Sequence, residues 1–328
     1  MPRILPQRRS TVALRRAAEG ESVRTVVIAL AANVIIGISK LIAGLMSGST
    51  GMLAEAAHSA ADSINEVLLA ISLRRDRKPA DEVHPFGHGR ERFLWAFMAA
   101  IASFLIGGCV SIAMAVQELA HRHPVKGAIA AWIVLAVSFL ADGTSLLQSI
   151  RQARRQAREF EMPFLRYIRT SSDPVVRAIF FEDGVALIGV LIAACGLAFS
   201  EMMHSNVPDS IASLLIGILL AFTAFALARP LADFLVGRSM LPEQVEQLRA
   251  MLKRDPAIDL LVSLRALYSG PEEVLVMAKV HPASNLAISE FSRAMDALDA
   301  AIRSEFPIVA DVFIDVTRMP KTVLDEHP

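Results

Sequence analysis

Glu55-Ala-Ala-His-Ser-Ala-Ala-Asp-Ser-Ile-Asn-Glu66 lies inside an apolar run that extends over about residues 52–73. A run of that length can cross a hydrocarbon core roughly 30 Å thick. His58 and Asp62 stand four residues apart, slightly more than one helical turn, so their side chains share one face. An imidazole and a carboxylate at membrane depth are costly and mark a functional site by default. Together they offer two of the four ligands that a divalent metal such as zinc usually takes.

Composition agrees with a membrane setting. The chain has 328 residues, is 54% hydrophobic and has a mean hydropathy of +0.46. That is high for a soluble globular protein and fits an integral membrane protein with a polar portion. The formal net charge is zero, so no global basic field argues for nucleic acid as a partner. The two cysteines, Cys109 and Cys195, both lie in apolar stretches and imply neither a disulfide framework nor a cysteine-based zinc site. The basic start, Met1 to Ser10, lacks the apolar run and small-residue cleavage site of a signal peptide, so the first helix is expected to be retained.

Outward from the opening motif, six apolar runs emerge, at about 24–46, 52–73, 93–117, 128–150, 175–199 and 209–228. Each approaches the roughly 20 residues needed to span a bilayer, and six crossings put both termini on one side. Arginine and lysine decide which side. They concentrate in the Arg-rich arm at 1–22, the loop at 74–92, the basic segment at 151–177 and the stretch after 228. The three opposite loops hold only Arg122 and Lys126. By the positive-inside rule both termini are cytosolic.

From about 240 the pattern changes. Pro242 to Lys253 reads as a helix with proline in its first turn. Ile258 to Tyr268 and Val274 to Val280 read as strands around a Ser269-Gly-Pro271 turn. Ala287 to Phe306 places Ile288, Phe291, Met295, Leu298 and Ile302 at helical spacing, and Val309 to Val316 reads as a third strand. The order implies a small α+β domain with its helices on one sheet face. The domains expected are an arm at 1–22, a transmembrane domain at 23–236, a cytosolic domain at 237–320 and a tail at 321–328.

Five polar features interrupt the apolar runs: Asn33, Glu55, His58 with Asp62, Asp142, and Glu182 with Asp183. Asn33 fits an interhelical hydrogen bond. Glu55 lies near a membrane end, where it could simply face water. Asp142 could line a polar cavity or pair with an arginine. Adjacent helical residues point about 100° apart, so one member of the Glu182–Asp183 pair should face the His58–Asp62 site fully, and Asp183 is favoured. Imidazole with carboxylates suits zinc best, with manganese, iron(II) or cobalt as alternatives. In the 74–92 loop, Asp81, His84 and His88 form a second cluster, which could bind metal or merely shape the loop.

These residues together resemble the cation diffusion facilitator family of divalent-metal/proton antiporters. The resemblance rests on His58-x-x-x-Asp62, on His84-Pro-Phe-Gly-His-Gly-Arg-Glu-Arg92 and on Pro208-Asp-Ser-Ile-Ala-Ser213, and it runs from about residue 20 to 318. It implies an α-helical membrane protein with six transmembrane helices and a small cytosolic C-terminal α+β domain of αββαβ, ferredoxin-like form. It further implies a homodimer, with a transport site between the second and fifth helices. His58 and Asp62 match the second-helix ligands and Asp183 the fifth-helix aspartate. The family's fifth-helix histidine position is Ile179 here, in what resembles a branch of the family with an acidic pair; either Glu182 replaces the missing imidazole or the site uses Asn33 or water. Asp81, His84 and His88 match the family's loop site. Tail positions that ligate metal in some members read here as Val262 and Ala278, and His281 stands beside a proline, so the tail is expected to dimerise without the full regulatory cluster.

The function implied is efflux of a divalent cation, zinc first, by proton antiport and alternating access in a bacterial inner (plasma) membrane. The cation is cargo and no cofactor is expected. The partners are the lipid bilayer, a second copy of the chain and protons. An enzyme is not expected, because no His-Glu-x-x-His motif or base partner for the acids is present. The rival reading is a membrane metal sensor or scaffold that binds the ion without moving it.

Overall fold

The computed structural model describes residues 30–31, 33–120, 128–159, 163–164, 174–271, 273–283 and 286–317. The expected arm at 1–22 and tail at 321–328 lie outside the described residues, as does most of the basic segment beyond 159. Eight helices and three strands are described: α1 Asn33–Ser47, α2 Thr50–Arg75, α3 Glu91–Ala120, α4 Ala128–Glu159, α5 Pro174–Met203, α6 Val207–Val236, α7 Pro242–Arg254, β1 Ile258–Gly270, β2 Glu273–Pro282, α8 Ile288–Glu305 and β3 Val309–Val316. They fall into two compact units. Among the described residues, one takes those up to Ile71, those between Trp95 and Phe164, and Val175–Arg229; the other takes Ser72–Leu94, Pro174 and those from Pro230.

In the first unit, four helices are long and apolar enough to cross a membrane: α3, α4, α5 and α6. The α1 helix is apolar but shorter over its described residues. The α2 helix has the length, 26 residues, but Glu55, His58, Asp62 and Glu66 dilute its apolarity. The apolar run was read to about 150, and α4 continues through the start of the basic segment to Glu159. Its arginines, glutamines and alanines keep high helix propensity after hydropathy has fallen, and Ala153 and Ala157 are buried.

The core of this unit joins Met52 and Ala54 of α2, Ala131 and Leu135 of α4, Val190, Ala193 and Leu197 of α5, and Ile216 and Leu220 of α6. Small residues set the close approaches. A Cβ at Gly108 would stand 3.1 Å from Ala221 Cβ, and one at Gly217 only 2.7 Å from Ile112 Cγ1, so α3 and α6 meet almost backbone to backbone. Within α3, Ser103–Cys109 winds as a π-helix, a local widening found often at functional sites.

The turn between α1 and α2 is closed by an acid from another helix. Gly48 adopts φ +69°, a left-handed conformation suited to a helix end. Buried Asp209, in the first turn of α6, accepts hydrogen bonds from Ser49 Oγ (2.8 Å), Thr50 Oγ1 (3.1 Å) and Gly51 N (3.2 Å). Its charge thus sits against the N-terminus of α2, where the exposed amide groups favour an anion. This explains the Pro208-Asp209 motif and also Gly51, whose Cβ would lie 2.9 Å from Asp209 Oδ1.

In the second unit, β1 pairs antiparallel with β2, and β2 parallel with β3, in the order β1-β2-β3. The expected succession helix, strand, strand, helix, strand is present, with Val309–Val316 placed as read. The α7 helix packs on β1 and α8 on β3, contributing buried Leu248, Leu252, Leu298 and Ile302 to a core with Val274, Val276 and Val280. Ala278 is buried in the central strand, and His281 Nδ1 donates to the Thr317 carbonyl at 2.8 Å. Phe93 stacks on Phe234 with centroids 4.6 Å apart, and Tyr268 meets Phe234 edge-on at 5.4 Å.

Candidate functional site

The α2 helix carries a polar stripe: Glu55, His58, Asp62, Asn65 and Glu66 recur at spacings of three and four along one face. His58 is 4% exposed, and its Nδ1 stands 3.4 Å from Asp62 Oδ1, a contact rather than a hydrogen bond. His58 Nε2 and Asp62 Oδ1 are buried without a hydrogen-bond partner. Both residues line a small cavity of about 20 Å³ with Glu182 of α5, Ser103 and Ala100 of α3, and Thr223 of α6. That volume holds about one water-sized occupant. One imidazole and two carboxylates, with orphaned buried atoms around a space of that size, form a donor set suited to a divalent cation.

The acidic pair on α5 splits. Glu182 lines the cavity, and its Oε1 accepts a 2.8 Å hydrogen bond from Asn65 Nδ2, which also reaches Ser103 Oγ at 2.6 Å. Asp183 turns to α4, where it accepts from Ser145 Oγ at 3.1 Å and Ser149 Oγ at 2.5 Å. The sequence favours Asp183 as the member facing His58 and Asp62; in the structure Glu182 lines the cavity beside them, and Asp183 bonds to the α4 serines.

Two other acids of the apolar runs are buried in whole or in part. Glu55 does not face water; it is fully buried and accepts a 2.8 Å hydrogen bond from Lys40 Nζ, itself 1% exposed. Asp142 has a buried Oδ2 without a hydrogen-bond partner. Asn33 does bond across helices, donating to Glu66 Oε1 at 2.7 Å. Sequence reasoning missed Asn65, Ser103 and the Lys40–Glu55 pair. Asn65 was legible, since it continues the stripe one turn beyond Asp62. Ser103 was not, because its placement depends on the packing of α3.

The second cluster is preformed within the second unit. One ligand atom each from Asp81, His84 and His88 lies within 4.8 Å of the others. Asp81 Oδ1 accepts the backbone N–H groups of Val83 (3.0 Å) and His84 (2.6 Å), closing a local turn, and Gly87 takes φ +80°. His88 bridges two carboxylates, with Nε2 2.9 Å from Asp81 Oδ2 and Nδ1 2.6 Å from Glu91 Oε1. The His88 hydrogen bond, then the His84 backbone bond, hold the Asp81 carboxyl down to about 2. Hydrogen bonding to Asp81, then to Glu91, raises His88 above the ordinary imidazole value. The donor types fit a divalent ion, but Asp81 and His88 already satisfy one another, so a metal must displace that hydrogen bond. Gly89 presses on the β1–β2 hairpin, where a Cβ would meet Ser269 O at 2.8 Å.

Comparison with known proteins bears on the family. The family model described as the cation efflux transmembrane domain matches residues 26–236. A mitochondrial proton-coupled zinc antiporter of Homo sapiens is 31% identical over 257 residues, 78% of this chain and 45% of that protein. Metal tolerance protein C4 of Arabidopsis thaliana is 32% identical over 259 residues, 79% of this chain and 57% of that protein. The manganese efflux system protein MneP of Bacillus subtilis is 24% identical over 301 residues, 89% of this chain and 95% of that protein. The chain spans about half the length of the first curated relatives it matches, 45% in the human case. With the family model covering well over half of the chain, and His58, Asp62 and Glu182 gathered around one cavity inside the matched segment, this protein belongs to the cation efflux family, the cation diffusion facilitators, a family of transporters and not of enzymes.

Proposed function

We propose that this protein exports a divalent cation, zinc first, from the cytosol in exchange for protons. The observation that carries the reading is the cavity between α2 and α5, where His58, Asp62 and Glu182 converge with buried, unpartnered polar atoms. In this reading α1 to α6 are six spans with both termini cytosolic, in a bacterial inner membrane, and the αββαβ domain joins two copies into a dimer. The cation loads from the cytosol onto neutral His58 and ionised Asp62 and Glu182. Asn65 fixes one Glu182 oxygen and leaves the other for the cargo. After the helices rock, protons arriving from outside compete for the same atoms and release the ion. Metal affinity falls as its ligands protonate, and that linkage couples the two fluxes. Alternating access around a fixed midplane site is the usual mechanical solution. The zinc and proton assignments are supported by the donor set and by the name of the human relative; manganese, as in the name of the Bacillus relative, is the second candidate, ahead of iron(II) and cobalt.

In proteoliposomes holding a zinc indicator, an acid lumen is expected to draw Zn2+ inward while the lumen alkalinises, and Asp62→Asn is expected to abolish both signals. Stoichiometric Zn2+ binding without flux in the wild type would instead identify a sensor or scaffold.

A further inference from the structure

Lys40 and Glu55 form a buried ion pair that the transport scheme above does not use. On α1, Gly37, Lys40 and Gly44 share one face at spacings of three and four. A Cβ at Gly37 would stand 3.2 Å from Ser59 Cβ, and one at Gly44 2.8 Å from Leu53 Cδ2. The glycines therefore let α1 lie tightly on α2, and Lys40 between them is sealed off. Among the described residues it is the one lysine or arginine that is buried. Glu55 is held from the far side by α5, where a Cβ at Gly189 would collide with Glu55 Oε1. That oxygen has no hydrogen-bond partner, so the pair is under-satisfied despite its 2.8 Å bond.

A buried pair of this kind is weak evidence for stability, since apolar replacements of similar volume often serve as well or better. Position gives it another role. Glu55 precedes His58 by three residues, about 4.5 Å along the helix axis. The ammonium is thus held on Glu55, less than one helical turn before His58 on the same face of α2. A cage of carboxylates without a nearby cation would hold a doubly charged ion too firmly to release it; transport needs binding strong enough to load and weak enough to unload.

We propose that Lys40 is a tethered counter-cation that weakens the grip of the His58–Asp62–Glu182 cavity on a divalent cation and thereby permits its release. The inference rests on reading that cavity as the transport site. Lys40 touches no cargo; it is a positioning charge acting through Glu55 and the field at the site.

The test compares Glu55→Gln with the double variant Lys40→Met/Glu55→Gln, residue 55 being neutral in both, and repeats the comparison with Lys40→Arg in the Glu55→Gln background, where the guanidinium keeps its charge when buried. Zn2+ dissociation constants are measured in detergent by competition with an indicator, and KM and kcat in proteoliposomes. The double variant is expected to bind Zn2+ roughly tenfold or more tightly than Glu55→Gln, with lower KM and lower kcat. Lys40→Arg should keep the wild-type values. A purely structural pair would give both variants the same dissociation constant whatever their melting temperatures, and that result overturns the proposal. Should Glu55→Gln fail to accumulate, Lys40→Gln against Lys40→Arg makes the same comparison: tighter binding in Lys40→Gln supports the proposal, and equal binding overturns it. If the wild type binds no Zn2+ at all, the reading of the cavity falls and this inference with it; binding with equal constants sinks this inference alone.

Discussion

At residues 182 and 183 the chain presents two neighbouring carboxylates, and helix geometry sends them about 100° apart. Glu182 meets Asn65 and the cavity, while Asp183 has its two oxygens on Ser145 and Ser149. The consequences of removing each charge should differ accordingly. Glu182→Gln is expected to weaken Zn2+ binding by about 100-fold or more, as loss of a ligand. Asp183→Asn is expected to cost about tenfold or less, as loss of an outer polar partner. Indicator competition on both purified variants checks the order, and a larger loss in Asp183→Asn would restore the assignment that the sequence favours. That the sequence favours Asp183 has a physical cause: the family pattern fixes which position carries an acid, but not how α5 is rotated against α2. The same limit explains Glu55. Depth along a helix makes it look like an end residue facing water, whereas its burial follows from Lys40, 15 residues earlier, lying between Gly37 and Gly44 across the interface. His58, Asp62 and Asn65 were legible because a stripe on a single helix needs only the helical period.

Among the elements, the α1–α2 turn depends most on a distant residue. Asp209 is fully buried and accepts from Ser49, Thr50 and Gly51, three donors at the start of α2. A carboxylate in that position also complements the positive end of the helix. Asp209→Ala is expected to destabilise the protein by roughly 2–4 kcal/mol, because it removes charge-assisted hydrogen bonds and leaves buried donors unpaired. Thermal unfolding in detergent measures this, and an unchanged midpoint would show that the turn holds without the acid. Gly51→Ala should lower the midpoint too, since its Cβ would press on Asp209 Oδ1 at 2.9 Å. The elements themselves were largely legible. Apolar runs gave the helices of the first unit, and alternation gave β1 and β2, which extend one or two residues beyond their expected ends as Ile258–Gly270 and Glu273–Pro282. The exception is α4, whose basic final turns satisfy helix propensity but not a hydropathy reading. The π-helical segment Ser103–Cys109 carries no signal beyond its paired glycines.

For the whole molecule, the uneven distribution of arginine and lysine makes the orientation testable. The last turn of α2 and the loop from it to α3 contain Arg74, Arg75, Arg77, Lys78 and Arg90, whereas the short connection between α5 and α6, around Ser205, contains no lysine or arginine. Because juxtamembrane cations are retained on the cytosolic side, the proposed orientation puts the first loop inside and the second outside. Cys109 and Cys195 lie within the apolar helices α3 and α5 and would be replaced by alanine first. On that background, Ser205→Cys is expected to react in intact cells with a membrane-impermeant maleimide. Glu82→Cys, in an exposed part of the basic loop, is expected to react only after permeabilisation. An antiporter runs the way its ion gradients drive it, so the labelling reports which ends face the cytosol and the proteoliposome flux reports the coupling. Reversed labelling would overturn the proposed topology without altering any ligand in the cavity, so this measurement bears on orientation independently of whether His58, Asp62 and Glu182 bind the ion.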